Sequence, residues 1–395
     1  MKNIIKCILI LMVNSCYSMN SSSTPKQSAK VDSIETIVKK TIRSFMQQHQ
    51  IPGAAMALYI NDTPHLFHFG YAHKEKKIPV TENTIFEIGS ISKVFTNILL
   101  AHEILDGRMK LTDPIYNHIP MLATNKKLNN TTLEKLCTHT STLTYNAPDH
   151  VKTQKDLLQY INTWKPSLKN EVWWQYSNHG IELLRIALEE TTQQTIYDLL
   201  SKKILQPLHM NSSSMNITDS YKEYYAQGYD KQGNKSPHWN HPFLLGTAAL
   251  RANNSDMLNF LKASIGLPDT PAHLKKAIQL TQTAIIDKGT IKQGMAWDMW
   301  NIDALKHPNM YEGFKVQRIP HAQQIFDGDM LIGKTGTTAG FHAYIAVIPN
   351  QKVGIVIMIN RMLWSGFAKM RNLGKEILLK TAHIEKHKDK TILSS

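Results

Sequence analysis

The stretch EIGSISKVFTNILL, Glu87–Leu100, sets a serine three residues before a lysine in an otherwise apolar run. If a helix begins here, Ser90 and Lys93 share one face a single turn apart, so the amine can reach and activate the hydroxyl. The positive field of a helix amino terminus would also stabilise a developing alkoxide. The same spacing recurs at Ser23 and Lys26 in a polar segment. On the motif alone, a capping serine with a solvated lysine is therefore the simpler interpretation.

A second motif, Lys334-Thr335-Gly336, occurs once and lies in an apolar run typical of a strand. Glycine lets a substrate pair closely with such a strand, while lysine and threonine offer a charge and a hydroxyl to a carboxylate. Ser-x-x-Lys together with Lys-Thr-Gly is a signature of penicillin-recognising enzymes. The pair of motifs therefore favours a nucleophilic interpretation of Ser90.

A Tyr-x-Asn element would complete this pattern, and the chain has three candidates. Tyr59 lies in a predicted hairpin and Tyr160 in a predicted helix. Tyr176-Ser-Asn178 follows VWWQ and precedes the helical run GIELLRIALEE. Because only this copy lies in a loop, we expect Tyr176 and Asn178 to be the functional pair.

The spacing of apolar residues predicts strands at both ends of the chain and helices between them. An amphipathic helix and a hairpin come first, and three strands and a further amphipathic helix come last. This order predicts an α/β (α+β) fold with an antiparallel sheet built from both termini. We assign residues 33–80 and 285–382 to the sheet domain and residues 81–284 to a mainly helical insertion.

The first 18 residues have lysines ahead of a short apolar core, which is typical of a secretory signal peptide. We therefore expect residues 1–18 to be a cleaved signal, 19–32 a linker and 383–395 a polar tail, in a protein exported to the periplasm. A lipoprotein signal ending at Cys16 is the alternative. Cys137 is the only cysteine beyond the signal, and we expect it to pack in the core.

Composition argues against two other classes of protein. The formal net charge of +14 is scattered along the chain, which favours solvated surface over nucleic-acid binding. Of the 18 histidines, the pairs His65/His68 and His238/His241 have no HExxH motif or cysteine cluster near them. We therefore expect no metal, no cofactor, no nucleic-acid partner and no membrane insertion.

These motifs and their order resemble class C β-lactamases, which are serine hydrolases related to penicillin-binding peptidases and some carboxylesterases. The resemblance spans roughly residues 33 to 380 and includes FEIGSISKVFT, QYSNHGIELL and GKTGTTAGFHAYIAVIPNQKVGIVIMIN. It implies an antiparallel sheet flanked by terminal helices and packed on a helical domain, with the active site between them. A DD-peptidase, a β-lactam sensor and a serine carboxylesterase are the alternatives within the superfamily.

The resemblance also implies roles for the catalytic residues. Ser90 would attack the lactam carbonyl and form an acyl-enzyme, while backbone N–H groups of Ser90 and Thr337 hold the oxyanion. Lys93 and Tyr176 would share the proton transfers. The sequence leaves open which of the two takes the serine proton.

Substrate binding is implied for a further group of residues. Asn178 would bond the substrate amide and Lys93, and Asn146 would donate to the acylamide. Lys334 and Thr335 would meet the carboxylate, with Gly336 giving close approach. The implied partner is a small β-lactam or acyl-D-Ala-D-Ala-like molecule, bound by a monomer.

Three departures from the family pattern bear on specificity. Thr142 stands where the family usually has glycine, and the tyrosine and glycine expected of the family are absent near Ala248 and Ala249. The segment Met362–Ala368 replaces a polar run that helps bind the carboxylate. Only Ser365 is polar in that segment, so recognition of typical cephalosporins is the property that this third change would affect.

Overall fold

The computed structural model describes residues 33–165, 172–216, 219–302 and 314–382. The predicted signal peptide, linker and tail lie outside these residues. No helix in the described ranges is long and apolar enough to cross a membrane.

The helices, numbered in chain order, are α1 Ile34–Gln48, α2 Ser92–Leu105, α3 Leu133–Cys137, α4 Gln154–Thr163, α5 Asn178–Thr192, α6 Ile196–Leu200, α7 Asp219–Lys222, α8 Leu245–Ala248, α9 Asn254–Ser264, α10 Ala272–Thr281 and α11 Gly366–Thr381.

The strands are β1 Gly53–Ile60, β2 Thr63–His73, β3 Ile78–Pro79, β4 Phe86–Glu87, β5 Trp173–Trp174, β6 Arg251–Ala252, β7 Ile286–Asp287, β8 Lys292–Gln293, β9 Asp298–Trp300, β10 Phe314–Lys315, β11 Gln317–Arg318, β12 Leu331–Thr337, β13 His342–Ile348 and β14 Val353–Ile359.

One large antiparallel sheet joins the two ends of the described chain. Its strand order is β11-β7-β8-β9-β12-β13-β14-β1-β2-β3. The amino-terminal hairpin β1–β2 pairs with the late strand β14, so that Ala54 lies opposite Ile359. This confirms the predicted antiparallel sheet built from both termini, with α2 to α10 inserted between them.

The central strands β1, β13 and β14 are buried on both faces, which explains why their sequences are continuously apolar. In β1, Met56 and Leu58 pack with α1 and α11, whereas Ala55 and Ala57 face the other core, where the inserted helices lie. Small side chains on this second face let α9 approach, and Asn254 of α9 donates a hydrogen bond to the Met56 carbonyl at 2.9 Å. The period of two thus divides the side chains of these central strands between two separate cores.

Thr142 adopts a left-handed backbone conformation with φ of 65°. This conformation favours glycine, the residue that the family resemblance leads us to expect at this position. A β-branched residue in this region carries about 1–2 kcal/mol of strain. Glycine would relieve this strain, but it would also make the unfolded chain more flexible, which costs about 0.5–1 kcal/mol of stability. We expect Thr142→Gly to raise the free energy of unfolding in urea by about 0.5–1 kcal/mol. Thr144→Gly, at a position without positive φ, is the control and should give no gain.

Candidate active site

Ser90 and Lys93 meet at the start of α2. A short 3₁₀ turn, Gly89–Ile91, precedes the helix, and neither the turn nor α2 has a side-chain cap hydrogen bond. Lys93 is fully buried, and its Nζ lies 3.0 Å from Ser90 Oγ and 3.0 Å from the Thr247 carbonyl oxygen. Ser90 is therefore not a helix cap, and Lys93 is not solvated.

Burial lowers the pKa of the Lys93 amine well below its ordinary value, with the nearby Lys334 charge acting in the same direction and Glu182 opposing it. A buried amine in hydrogen-bond contact with a hydroxyl can accept that hydroxyl's proton when it is neutral. The pair consequently has the geometry and the electrostatics of an activated nucleophile.

Two glycines allow the Ser90 turn to lie directly against strand β12. A Cβ at Gly336 would lie 1.9 Å from the Ile88 carbonyl oxygen and 3.1 Å from the Ser90 nitrogen. A Cβ at Gly89, where φ is 52°, would lie 2.5 Å from the Thr337 nitrogen. The contact brings the main chains of Ser90 and Thr337 to one place, as an oxyanion site requires.

Tyr176 lies in the predicted loop, between β5 and α5. Ser177 caps α5 by accepting a hydrogen bond from the Gly180 nitrogen at 3.1 Å, which fixes the residue before it. The centroid of the Tyr176 ring is 5.2 Å from Lys93 Nζ and 5.4 Å from Lys334 Nζ. The three motifs, distant in sequence, therefore converge around this one ring.

Lys334 is buried in β12, and its Nζ donates a hydrogen bond to the Thr335 carbonyl at 2.9 Å. Burial lowers the pKa of Lys334 to about 8; the Asp298 carboxylate opposes this, and the charges of Arg371 and Lys288 add to it. Lys288 Nζ lies 2.7 Å from Asp298 Oδ1, so this carboxylate forms an ion pair with a second lysine. The pKa of Lys334 thus lies well below the usual value for a lysine.

Asn178 and Asn146 contact each other, with Asn178 Nδ2 donating to Asn146 Oδ1 at 2.9 Å. The resemblance led us to expect a bond from Asn178 to Lys93. In the described part of the chain, the Lys93 amine instead bonds to Ser90 and to the Thr247 carbonyl. The Thr247 carbonyl thus takes the place expected for an asparagine amide.

An open cleft of about 320 Å³ lies beside Ser90 and the end of β12. Its lining includes Ser90, Asn146, Asn178, Thr247, Ala248 and Thr337. The cleft is therefore bounded by the turn before α2, the end of β12, the loop of residues 145–152, the first turn of α5 and the segment of residues 239–248. A small acyl compound bound there would reach the Ser90 hydroxyl.

Glu182 and Arg185 were missed in the sequence, although they form a buried pair beneath the site. Glu182 Oε1 accepts from Arg185 Nε at 2.5 Å, and Oε2 accepts from the Gly246 nitrogen at 3.0 Å. Burial raises the pKa of Glu182 to about 7, while Arg185 opposes the shift. The bond to Gly246 holds the segment whose next carbonyl, Thr247, binds Lys93. The signal was an acid–base pair at i,i+3 inside the apolar run of α5.

His139 was also missed. Its buried ring lies 4.3 Å from the Tyr176 ring, centroid to centroid, and its Nδ1 accepts from the Ser177 nitrogen at 3.3 Å. It therefore supports the loop that carries the tyrosine. Across the described ranges, no group of three or more His, Cys, Asp or Glu side chains is placed to hold a metal ion.

Comparison with known proteins identifies the family. Residues 38–379 match the Beta-lactamase family model, and the chain belongs to this family. It is 32% identical over 342 residues to a beta-lactamase of Yersinia enterocolitica, covering 83% of this chain and 87% of that protein. It is 31% identical over 341 residues to a beta-lactamase of Pseudomonas fluorescens, covering 83% and 94%.

Solved structures agree with the sequence comparison. A class C beta-lactamase in complex with cefoxitin has a TM-score of 0.82 at 28% identity, covering 88% of this chain and 98% of that one. The beta-lactamase/D-alanine carboxypeptidase of Pseudomonas syringae has a TM-score of 0.82 at 26% identity, with coverages of 88% and 98%. The fold is thus that of serine beta-lactamases and their relatives.

Proposed function

We propose that this protein is a serine β-lactamase of class C type that opens the lactam ring of penicillins and cephalosporins through a Ser90 acyl-enzyme. The observation that carries the proposal is the 3.0 Å contact between Ser90 Oγ and the buried Lys93 amine, placed where the main chain of Thr337 meets that of Ser90. Membership of the beta-lactamase family supports it.

In the first half of the reaction, Ser90 Oγ attacks the lactam carbonyl and its proton passes to the neutral Lys93 amine. The backbone N–H groups of Ser90 and Thr337 stabilise the oxyanion. The carbon–nitrogen bond of the ring then breaks, and the ring nitrogen takes the proton that Lys93 accepted, which leaves an ester on Ser90 and a neutral Lys93 amine. In the second half, Tyr176 takes a proton from a water molecule that attacks this ester; the bond to Ser90 Oγ breaks, and Oγ receives that proton.

The proposal is tested by following absorbance and product mass while the protein acts on a penicillin and a chromogenic cephalosporin. We expect many turnovers for each protein molecule, and products that gain one water. A chelator should leave the rate unchanged, because no step uses a metal ion. Product formation that stops at one equivalent would contradict the proposal and favour a sensor.

The carboxylate of the substrate is assigned to Lys334 and Thr335. Thr335→Val removes one hydrogen bond to a charged group, worth about 1.5–3 kcal/mol, so kcat/KM for a carboxylate-bearing lactam should fall roughly ten- to a hundredfold. Hydrolysis of a small neutral ester should change much less. Thr338→Val, at a buried threonine just beyond β12, is the matched control. Equal losses on both substrates would mean that Thr335 only packs the strand.

The pKa of Lys334 predicts a pH dependence that a carboxylate substrate alone should show. Lysine is charged below its pKa, so with a pKa of about 8 the ammonium is present at neutral pH and lost as the pH rises. The ratio of kcat/KM for a carboxylate-bearing lactam to that for a neutral ester should therefore fall above pH 8, by up to about tenfold per pH unit. A ratio that stays constant to about pH 10 would indicate an ordinary lysine.

D-alanine carboxypeptidase activity is the second candidate, because the similar Pseudomonas syringae protein is named a beta-lactamase and a D-alanine carboxypeptidase. The two activities share acylation of Ser90 and differ in the rate at which the lactam-derived acyl group leaves. Assay with an acyl-D-Ala-D-Ala peptide measures this activity directly through release of D-alanine.

A further inference from the structure

A buried histidine connects strand β12 to the start of the last helix. His342 is the first residue of β13 and lies opposite Thr337 in the β12–β13 ladder. Its side chain is buried, and its Nδ1 lies 2.6 Å from the hydroxyl oxygen of Thr337. Thr337 lines the cleft and His342 does not, so the hydroxyl of a cleft residue makes a hydrogen bond with a side chain outside the cleft.

The other ring nitrogen of His342 faces the chain that follows β14. Nε2 lies 3.4 Å from the Leu363 carbonyl oxygen. A Cβ at Gly366, the first residue of α11, would lie 2.0 Å from this nitrogen, so the ring occupies space that only a glycine leaves open. Leu363 and Gly366 belong to the Met362–Ala368 segment, where the sequence departs from the family.

These two contacts bear on which tautomer of His342 is present. A carbonyl oxygen only accepts, so the contact with Leu363 at 3.4 Å favours a ring protonated at Nε2. In that neutral tautomer Nδ1 is an acceptor, and the Thr337 hydroxyl donates to it at 2.6 Å. Burial lowers the pKa of His342 to about 4; Lys231 and Lys369 act in the same direction, and the Leu363 and Gly336 carbonyls oppose it. The ring is therefore neutral at neutral pH.

We propose that His342 is a specificity-determining positioning residue, which accepts a hydrogen bond from the Thr337 hydroxyl so that Thr337 offers no side-chain donor to a bound substrate. The inference rests on the proposed function, in which a substrate carboxylate lies by Lys334 and Thr335. Thr337 lies two positions after Thr335 on β12 and could add a further donor. Its hydroxyl instead donates a hydrogen bond to His342. Carboxylate recognition therefore depends on Lys334 and Thr335, and the preference for acidic over neutral substrates is reduced.

The kinetic test uses His342→Ala. With the ring removed, the Thr337 hydroxyl can turn toward the carboxylate, so the ratio of kcat/KM for a penicillin to that for a neutral ester should rise about tenfold, mainly through KM. The gain should be absent when His342→Ala is made in a Thr337→Val background. An unchanged ratio, or equal losses on both substrates, would overturn the proposal, the second result indicating that His342 only supports the backbone of β12.

A second measurement on the wild-type protein does not depend on activity. Long-range proton–nitrogen NMR correlations of ¹⁵N-histidine-labelled protein, with the His342 signals assigned by their loss in His342→Gln, should show a neutral ring protonated at Nε2. A ring protonated at Nδ1, or a cationic ring, would contradict the proposal even if His342→Ala does not fold. If no lactam acylates Ser90 in the wild type, the proposed function fails and the specificity inference with it. Normal acylation with an unchanged substrate ratio means that this inference alone is wrong.

Discussion

Replacing Ser90 by alanine is expected to abolish lactam hydrolysis, with kcat falling by about 10⁴-fold or more. Without the hydroxyl there is no atom to carry the acyl group. Lys93 would keep its contact with the Thr247 carbonyl at 3.0 Å, so the site should stay folded while losing its nucleophile. The measurement is the initial rate of penicillin hydrolysis, with peptide mass spectrometry to locate the adduct in the wild-type protein.

The chain supplies a matched control for this substitution. Ser23 precedes Lys26 with the same spacing as Ser90 and Lys93, so Ser23→Ala removes a serine from the other copy of the motif. We expect full activity in Ser23→Ala, and a penicilloyl adduct on Ser90 and on no other serine. An adduct on Ser23, or wild-type rates in Ser90→Ala, would remove the basis of the proposed mechanism.

Tyr176→Phe should slow the full cycle by roughly 10²- to 10⁴-fold, the usual contribution of a positioned acid–base group. The ring would still pack against His139 and remain within about 5 Å of both lysines. Only the phenolic oxygen is lost, so the effect should fall on proton transfer rather than on folding. The expected signature is an acyl-enzyme that accumulates because deacylation has become slow.

Tyr160→Phe is the control for this experiment. Tyr160 begins another Tyr-x-Asn triplet, but it lies on α4, outside the cleft lining. Its variant should turn over at the wild-type rate with the same stability in urea. If Tyr176→Phe and Tyr160→Phe lose equally little activity, the phenol of Tyr176 has no chemical role.

Much of the fold was predictable because the terminal strands and helices carry a regular spacing of apolar residues. The strand that carries Lys334 and the last amphipathic helix occur where the spacing of apolar residues predicts them, and the predicted amino-terminal hairpin is formed by β1 and β2, joined at Asn61 and Asp62. Tyr176 could be chosen among three triplets because only it lies in a loop. Cys137 is buried, as its apolar helical surroundings indicated.

The surroundings of the catalytic groups could not be predicted, because they depend on contacts between residues distant in sequence. The carbonyl of Thr247 reaches Lys93 across 154 positions, and no motif marks a backbone oxygen. The apolar run around His342 predicts only a strand. It gives no sign that the two ring nitrogens contact Thr337 and Leu363. Periodicity places residues on faces, whereas such hydrogen bonds depend on how separate elements pack.

Intact-mass spectrometry over time, with a penicillin in excess, tests the central claim most directly. The wild-type protein should gain the mass of one penicillin while substrate remains, and the adduct should disappear once the substrate is exhausted, with many equivalents hydrolysed. An adduct that persists for hours would contradict the lactamase assignment and favour a peptidase or sensor. No adduct, together with rapid cleavage of a neutral ester, would contradict it in favour of a carboxylesterase.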